Sequence, residues 1–359
     1  MRLIDICDFQ GGSQPPKEEW TFEKKNGYIR MLQIRDFTQR EKVVPEYIKL
    51  GNTTKICESD DILIARYGAS IGKILTGLAG AYNVAMMRVI PDTSKIKKRY
   101  LYYYMKSTYF QNTILNVGSR AAQAGFNKED LSSLEIECPS LSKQDDIIRV
   151  LSKIESVIDK RKEEIGYLDV LIKARFIELF GTYPGNEKGW NTGNIRDVVS
   201  EVRYGSSRPA VDGGRYPYLR MNNITYGGEL DLSDTKHIDI PDNELAKCTV
   251  RRGDVLFNRT NSKELVGKTC VYNRDEMMVL AGFVIRVRVN EKVLPEFLSA
   301  FLNTDFSKKM LLGMCKTAIG QANINAQELQ NIGLYIPPID LQQEFVDFKT
   351  QVDKSKVVA

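Results

Sequence analysis

Two segments of the sequence look like the phosphate-binding loop of nucleotide-binding proteins. Residues 253–269 read GDVLFNRTNSKELVGKT, and residues 60–73 read DDILIARYGASIGK. A complete loop has the pattern Gly-x-x-x-x-Gly-Lys-Ser/Thr, because its glycines let backbone amides surround a phosphate. The place of the first glycine is taken by Ser262 in one segment and by Tyr67 in the other. We therefore interpret both segments as β-hairpins closed by a Gly-Lys turn.

Other residues that commonly do chemistry are scarce or badly spaced. His237 is the single histidine, which excludes histidine-based triads and multi-histidine metal sites, and we expect it at the surface. The six cysteines contain no Cys-x-x-Cys pair, so no zinc site is indicated. The segment PDNELAK at 241–247 has the wrong spacing for a nuclease motif, and we predict a turn into a helix. The chain is expected to be non-catalytic and to bind no cofactor or metal itself.

Composition places the chain among ordinary globular proteins. Hydrophobic residues make up 42% of the 359 residues, and 51 basic against 46 acidic side chains give a net charge of +5. That excess is too small to establish a nucleic-acid partner by itself. No apolar run approaches the length of a membrane span. We expect a cytoplasmic protein with reduced cysteines and no membrane contact.

The loop-like segments belong to a long internal repeat. Matching stretches occur in the same order at 5–16 and 197–209, 28–34 and 218–224, 60–73 and 253–268, and 123–147 and 321–345. The spacing between matched positions drifts from about 190 to 198 residues, as a few loop insertions would produce. The repeating unit is far longer than a solenoid repeat, so we predict a duplicated domain.

Each copy is predicted to mix α and β structure, which places the chain in the α+β class. The runs at 28–34 and 61–65 have strand character, whereas 97–115 and 294–312 have helical spacing. Each copy is expected to close with a proline-bearing strand, LEIECPSL in the first and IGLYIPPI in the second, before a helix begins.

A long helix is predicted between the two copies. Its apolar seam consists of Ile147, Leu151, Ile154, Ile158, Ile165, Leu168, Ile172 and Leu179. The steps of three, four and seven residues are those of a heptad pattern, with Arg161 and Arg175 at the skipped positions. Ser142 is the predicted N-cap, and Gly181 follows the last turn. A coiled-coil spacer of roughly 58 Å fits this pattern, and a core helix of one globular domain is the alternative.

A second, shorter helix follows the second copy. Leu341, Phe345, Phe348 and Val352 continue the seam over about half the length of the first helix. The predicted domains are the first copy of the repeated domain at 1–140, a central coiled-coil helix at 141–181, the second copy at 182–338 and a short distal helix at 339–359.

Polar loops recur at equivalent places in both copies. An arginine beside polar or aromatic residues follows an apolar strand in each, and a Gly-Ser turn, a basic-amide element and a polar loop before the closing strand complete the set. Arginine, asparagine and glutamine can contact base edges, whereas lysine, serine and threonine contact phosphates. The candidate DNA-binding residues are Arg30, Arg35, Arg66, Tyr67, Ser70, Lys73, Arg120, Gln123, Tyr204, Ser206, Arg208, Arg220, Asn222, Asn223, Arg259, Thr260, Asn261, Lys263, Lys268, Lys316 and Gln321.

These phrases, in this order and duplicated around a long helix, resemble the specificity subunits of type I restriction–modification systems. The resemblance covers essentially the whole chain and rests on YGSSRP, YLRMNNI, GDVLFNR and the stretch QANIN to IPPIDLQQEF. It implies two target recognition domains that each read one half of a split double-stranded DNA target. It also implies antiparallel long helices on which modification (methyltransferase) subunits dock, and a restriction (translocase and nuclease) subunit in the complex. The short second helix departs from that pattern.

Antiparallel pairing would place the start of the second helix near Ile172 and Leu179. The seam at Ile147, Leu151, Ile154 and Ile158 would then lie bare, and we expect a modification subunit or a second copy of the chain to cover it. A standalone enzyme and an adaptor with two protein-binding modules are the alternatives. Assays with S-adenosylmethionine and ATP test the first, and salt-dependent DNA affinity argues against the second.

Overall fold

The computed structural model describes residues 1–118, 125–262, 265–315 and 322–358. The chain divides into two compact units, Met1–Asp159 and Lys160–Ala359.

The first unit combines short strands and helices. Its strands in the described residues are β1 (Cys7–Gly11), β2 (Tyr28–Leu32), β3 (Tyr47–Lys49), β4 (Ile56–Cys57), β5 (Ile62–Ala65), β6 (Ile74–Leu75), β7 (Gly80–Tyr82) and β8 (Met86–Pro91). Its helices are α1 (Ile34–Gln39), α2 (Lys98–Lys106), α3 (Thr108–Gly118) and the first half of α4 (Leu141–Phe180).

The second unit begins within α4 and repeats this arrangement. Its strands in the described residues are β9 (Asn191–Asn194), β10 (Val199–Tyr204), β11 (Tyr216–Leu219), β12 (Lys236–Ile238), β13 (Thr249–Val250), β14 (Val255–Asn258), β15 (Thr260–Asn261), β16 (Thr269–Val271), β17 (Met278–Leu280), β18 (Val284–Val289), β19 (Ala322–Asn323) and β20 (Gly333–Ile336). Its further helices are α5 (Asp242–Cys248), α6 (Pro295–Asn303), α7 (Asp305–Met314), α8 (Ala326–Gln330) and α9 (Ile339–Val358).

The two four-stranded sheets of each unit match strand for strand. One sheet has the order β1-β8-β5-β6 in the first unit and β10-β18-β14-β16 in the second. The other has the order β3-β2-β7-β4 and β12-β11-β17-β13. Even the parallel pair recurs, as β2 with β7 and β11 with β17. This correspondence confirms the duplicated α+β domain that the sequence repeat predicted.

The segments with helical spacing each form two helices rather than one. Ser107 separates α2 from α3, and Thr304 separates α6 from α7, with extended backbone at both breaks. The Thr304 hydroxyl accepts a hydrogen bond from the Ser307 amide, and the Ser107 hydroxyl accepts one from Phe110. The two residues therefore cap the second helix of each pair, and periodicity alone did not reveal the breaks.

The closing strand forms in the second unit but not in the first. Residues 333–336 pair with β9 over four residues. The prediction of a strand in LEIECPSL was wrong: Arg2 and Glu135 form an isolated bridge, flanked by hydrogen bonds from Leu3 to Leu134 and from Ile136 to Met1. The pairing segment there is too short to count as a strand.

The predicted seam helix exists as α4, a helix of 40 residues. Its first turn is capped one residue before the start by Ser140, whose hydroxyl accepts from the Lys143 amide, so the Ser142 assignment was wrong. Gly181 ends the helix with a φ of +81°, as predicted.

The distal helix packs antiparallel to the last turns of α4. Glu344, near its start, pairs with Arg175, and Lys356, near its end, pairs with Asp169. The Phe345 ring contacts Phe176 with the ring centroids 5.3 Å apart. The predicted position of the start of this helix is therefore confirmed.

A buried glutamine near the start of α4, and another near the start of α9, attaches each helix to the domain that precedes it. Gln144 donates from Nε2 to the carbonyls of Lys95 and Pro139, and its Oε1 accepts from the Lys97 amide. Gln342 repeats all three bonds at the start of α9, with the carbonyls of Lys292 and Pro337 and the Leu294 amide. Both side chains are fully buried. The first turn of each helix is thereby fixed by three hydrogen bonds to its own domain.

We predict that Gln342→Leu lowers the free energy of unfolding of the second unit by about 2–4 kcal/mol, because it leaves buried backbone groups without partners. Gln343→Leu is the matched control, since the Gln343 side chain is exposed and, among the described residues, bonds only to the Asp347 carboxylate. Urea titration in a Trp20→Phe background makes Trp190 the sole tryptophan reporter, because the chain has two tryptophans. Equal losses in the two variants would contradict the prediction.

Candidate nucleic-acid interface

The two Gly-Lys segments are hairpin turns. The Gly267 amide donates to Asn258 in the β14–β16 hairpin, and the Gly72 amide donates to Ala65 in the β5–β6 hairpin. The two glycines have φ values of +80° and +79°, a conformation that other residues rarely adopt. The hairpin interpretation is therefore confirmed.

The other two expectations about chemistry-like segments are also met. His237 is exposed on β12. The segment 241–247 begins α5, with Pro241 at the N-cap.

An arginine opens the loop after the central strand in each domain. The Arg66 amide donates to the Ala85 carbonyl at 2.8 Å, and the Arg259 amide donates to the Phe283 carbonyl at 3.0 Å. Because the two backbones are held by equivalent bonds, the two side chains start from the same place in the fold.

Both arginines stack on a tyrosine. The Arg66 guanidinium carbon lies 5.1 Å from the centre of the Tyr67 ring, and that of Arg259 lies 5.0 Å from the centre of the Tyr204 ring. The two tyrosines are 43% and 44% exposed, so each pair faces solvent. A guanidinium over an aromatic face is an attractive cation–π contact.

The two rings come from different places in the chain. Tyr67 directly follows its arginine, whereas Tyr204 lies at the end of β10. The position that matches Tyr204 in the first copy is Gly11, whose ideal Cβ would lie 3.5 Å from Nη1 of Arg66. Both tyrosines are among the residues predicted from the sequence, but their equivalence could not be predicted because they do not align.

The Gly-Ser turn lies against a strand beside this pair. An ideal Cβ on Gly12 would lie 2.1 Å from the Asn83 carbonyl oxygen, and one on Gly205 would lie 2.2 Å from that of Leu280. A side chain at either glycine would clash with backbone, so glycine is required for this close approach. The turn therefore follows the strand that ends at Gly11 or Tyr204 and stays next to the arginine.

The polar loop before the closing strand reaches the same place. In the first domain Nε of Arg66 donates to the Phe126 carbonyl at 3.1 Å. In the second domain the Ile324 amide donates to the Arg259 carbonyl, and the Ala326 amide donates to the Tyr204 hydroxyl. Three of the four predicted polar segments thus meet around one arginine–tyrosine pair in each domain.

Several predicted residues lie outside the described residues of the chain. They are Arg120, Gln123, Lys263, Lys316 and Gln321.

The predicted basic-amide element is paired with carboxylates of its own domain. Arg30 pairs with Asp36 at 2.7 Å, and Arg220 pairs with Asp234 at 2.9 Å. Arg35 pairs with the buried carboxylate of Glu46. The same holds for an arginine of the Gly-Ser turn region, because Arg208 forms a two-point contact with Glu244. The charge of these four arginines is already balanced locally.

Four predicted DNA contacts are buried and serve the fold instead. Asn223 donates to the carbonyls of Asp231 and Asp234, Thr260 donates to the Asn323 side chain at 2.9 Å, and Lys268 donates to the Met221 carbonyl at 2.9 Å. Ser206 is buried and its hydroxyl accepts from the Arg208 amide. Side chains enclosed in this way have no surface to offer DNA, so these four assignments are corrected.

The remaining predicted residues stay accessible. Lys73 and Asn222 are exposed, and Ser70 and Asn261 are partly exposed.

Comparison with known proteins identifies the family. The family described as Type I restriction modification DNA specificity domain matches residues 1–166 and again residues 187–357. The chain belongs to this family. The two matched stretches correspond to the two copies of the repeat, so this family member carries the specificity domain in tandem.

Relatives with assigned roles are specificity subunits. The specificity subunit of the type I restriction enzyme EcoKI from Escherichia coli is 22% identical over 278 residues, 73% of this chain and 60% of that protein. The MjaVIII specificity subunit from Methanocaldococcus jannaschii is 21% identical over 374 residues, 98% of this chain and 85% of that protein. The match therefore spans less than two thirds of the EcoKI subunit.

A solved structure shows the same fold. A chain from a type I R-M system, studied for its complex assembly and conformational transition, aligns with a TM-score of 0.50 at 17% identity. The alignment covers 100% of this chain and 90% of that chain.

The seam helix of this family member exposes apolar side chains. Ile154 and Ile158 are 50% and 47% exposed. Ile147 and Leu151 are partly exposed and line a shallow apolar depression together with Val150.

The helix α4 carries a second apolar stripe that was not predicted from the sequence. Tyr167, Val170, Leu171 and Ile177 are exposed and spaced by three, one and six residues, which places them on one face of the helix. The heptad assignment followed the other face, where Ile172 and Leu179 pack into the core of the second unit. The spacing of these four residues in the sequence would have revealed the stripe.

Two absences apply to the described part of the chain. It holds no group of three or more histidine, cysteine, aspartate or glutamate side chains arranged to bind a metal. None of its helices is long and apolar enough to cross a membrane.

The hairpin turn in each domain is anchored from behind by a helix. In the first domain Nε2 of Gln111 donates to the Gly72 carbonyl at 2.9 Å. In the second, Nζ of Lys308 donates to the Gly267 carbonyl at 2.5 Å. The two residues occupy equivalent places on α3 and α7. A side-chain amide in one domain and an amine in the other therefore donate to the same turn carbonyl. Burial, followed by the nearby charges of Lys173 and Lys268, lowers the pKa of Lys308 to about 7.

We predict that the stability of the second unit rises between pH 7 and pH 9.5 more steeply in the native protein than in Lys308→Gln. The unfolded lysine, with an ordinary pKa near 10.5, binds a proton over this range that the folded one has released, so raising the pH favours the folded state. Below about pH 7 both states are protonated and this contribution to the slope disappears. Urea unfolding at several pH values measures it, and parallel curves for the two proteins would contradict the lowered pKa.

Proposed function

We propose that this chain is the non-catalytic specificity subunit of a type I restriction–modification complex and reads a bipartite double-stranded DNA target. The observation that carries the proposal is the repeated arginine–tyrosine pair, which faces solvent at the same place in two domains of identical strand order. One such site per domain provides one reader for each half of a split target.

The differences between the two sites support two different half-sites. The loop after Arg66 continues with Tyr67 and Gly68, whereas the loop after Arg259 continues with a buried threonine and Asn261. Arginine can bind guanine through two hydrogen bonds in the major groove, and its neighbours set which bases fit beside it. A shared arginine with unlike neighbours is expected to read unlike sequences.

The partners are proposed from the family and from the surface of α4. In the proposed complex, modification subunits supply methyl transfer and a restriction subunit supplies translocation and cleavage. This chain determines which DNA sequence is recognised. We propose that the exposed seam at Ile147, Leu151, Ile154 and Ile158 contacts a modification subunit or a second copy of the chain. The stripe from Tyr167 to Ile177 offers a further apolar surface on the same helix. Sequencing the methylome of cells that carry the gene would give the target.

We predict that Arg66→Ala weakens binding to one half of that target and Arg259→Ala weakens binding to the other. A two-point contact to guanine gives a loss of about 1–3 kcal/mol at one base pair, whereas a phosphate contact gives a loss that is uniform across sequences. The measurement is equilibrium binding of the assembled complex to duplexes in which either half is scrambled.

The control for these variants is Arg274→Ala, which removes an exposed arginine elsewhere in the second domain. It is expected to leave the preference for both halves unchanged. If neither Arg66→Ala nor Arg259→Ala differs from this control, the two arginines do not read DNA.

We predict that Leu151→Glu combined with Ile154→Glu prevents assembly with the modification subunit, or self-association if a second copy is the partner. Burying a carboxylate in an apolar interface without a partner is strongly unfavourable. Lys153→Gln combined with Lys160→Gln changes the net charge equally at exposed positions of the same helix and is expected to assemble normally.

Sedimentation velocity of the chain alone and with the modification subunit measures both kinds of association. Normal assembly of the double glutamate variant, together with a monomeric native chain, would show that this seam is not an interface.

A further inference from the structure

The arginine–tyrosine pair is built by two different routes. In the first domain Arg66 and its ring are neighbours in sequence, with glycine at position 11. In the second domain the ring comes from Tyr204, and the residue after Arg259 is Thr260. Both routes place a guanidinium about 5 Å from a tyrosine ring that is a little under half exposed.

The second domain has no room for the first route. Thr260 is 9% exposed, its hydroxyl donates to the Asn323 side chain, and its backbone belongs to the β15–β19 pair. Tyr67 forms the equivalent bridge with Gly125, whose ideal Cβ would lie 2.5 Å from the Tyr67 ring, so a ring at position 260 would meet the side chain that Asn323 carries there. Tyr204, at the end of β10, supplies the same contact in the second domain.

The first domain, in contrast, has room for the second route. Gly11 does not have a left-handed φ, and among the described residues the one atom near its ideal Cβ is Nη1 of Arg66 at 3.5 Å, an ordinary contact distance. A side chain at Gly11 would therefore extend along the guanidinium rather than into backbone.

The stacked arrangement leaves the ends of both guanidinium groups available. In the described residues Arg66 makes one side-chain hydrogen bond, from Nε to Phe126, and neither Nη atom has a partner. Arg259 makes one long contact of 3.5 Å from Nη1 to the Gly282 carbonyl. Both arginines also lack a carboxylate partner among the described residues, unlike Arg30, Arg35 and Arg220.

We propose that Tyr67 and Tyr204 are equivalent positioning residues, which hold the guanidinium of Arg66 and Arg259 in the orientation that contacts DNA. The proposal rests on the proposed function and assigns a role to the ring rather than to the hydroxyl. A cation held over a ring loses less conformational freedom when it binds a phosphate or a guanine edge, so each ring raises affinity through its arginine.

The test moves the ring from one route to the other within the first domain. Tyr67→Thr removes the ring, and Gly11→Tyr combined with Tyr67→Thr returns it in the manner of the second domain. In the assembled complex, Tyr67→Thr is expected to weaken binding to the first half-site about two- to thirtyfold, the range of a cation–π contact. The relocated variant is expected to recover binding to within about threefold of the native complex.

The second domain provides the test of ring against hydroxyl. Tyr204→Phe keeps the ring and loses the hydrogen bond from Ala326, whereas Tyr204→Ala loses both. We expect Tyr204→Phe to bind the second half-site like the native protein and Tyr204→Ala to lose affinity there. Loss of the same size in both variants would assign the tyrosine to support of the Ala326 loop and overturn the proposal.

The arginine variants separate this inference from the function on which it rests. If Arg66→Ala weakens the first half-site but Tyr67→Thr does not, the positioning role is wrong and the proposed function stands. If Arg66→Ala has no effect on binding, both are wrong for this site. If Tyr67→Thr weakens binding and relocation fails to restore it, while thermal unfolding of the relocated variant is unchanged, the ring at residue 67 acts by itself and the proposal is overturned.

Discussion

A fully buried glutamine side chain joins each copy of the repeated domain to the helix that follows it. An amide can donate and accept at once, so Gln144 satisfies two carbonyls and one N–H that the end of the domain would otherwise bury without partners. Gln342 does the same in the second unit. In the first unit Glu155 adds a second attachment about three turns further along α4, where Tyr103 and Lys106 bond to its carboxylate. The direction in which each helix leaves its domain depends on these contacts.

The electrostatics of the domains explain why composition was a weak guide to function. Most arginines in the predicted reading segments, such as Arg30, Arg208 and Arg220, are balanced by carboxylates of the same domain. Ion pairs of this kind fix loop geometry but add little positive potential at the surface. Arg66 and Arg259 stand apart because an aromatic face supports them instead. A small net charge is therefore compatible with a local anion-binding group.

Periodicity and internal repetition in the sequence predict much of the fold. The duplication, the strands at 28–32 and 62–65, the seam helix and the Gly-Lys hairpins are all encoded locally or by comparison of one copy with the other. What could not be predicted depends on contacts across the fold. Asn223 and Lys268 have the residue types of DNA contacts, and burial alone assigns them to the core. The pairing of Arg259 with Tyr204 joins residues far apart in sequence, and the position that matches Tyr204 in the first copy is a glycine, Gly11.

The repeated glutamine joint has a consequence for how such genes can exchange parts. Among the described residues, the groups that bond to the Gln144 side chain lie in residues 95–139, and those that bond to the Gln342 side chain lie at matching places in 292–337. A recombination crossover just after Pro139 or Pro337 would present the incoming helix with two carbonyls and one amide at the same places. Shuffled chains would then fold with the helix correctly seated, and new combinations of the two domains would arise without any adjustment at the junction.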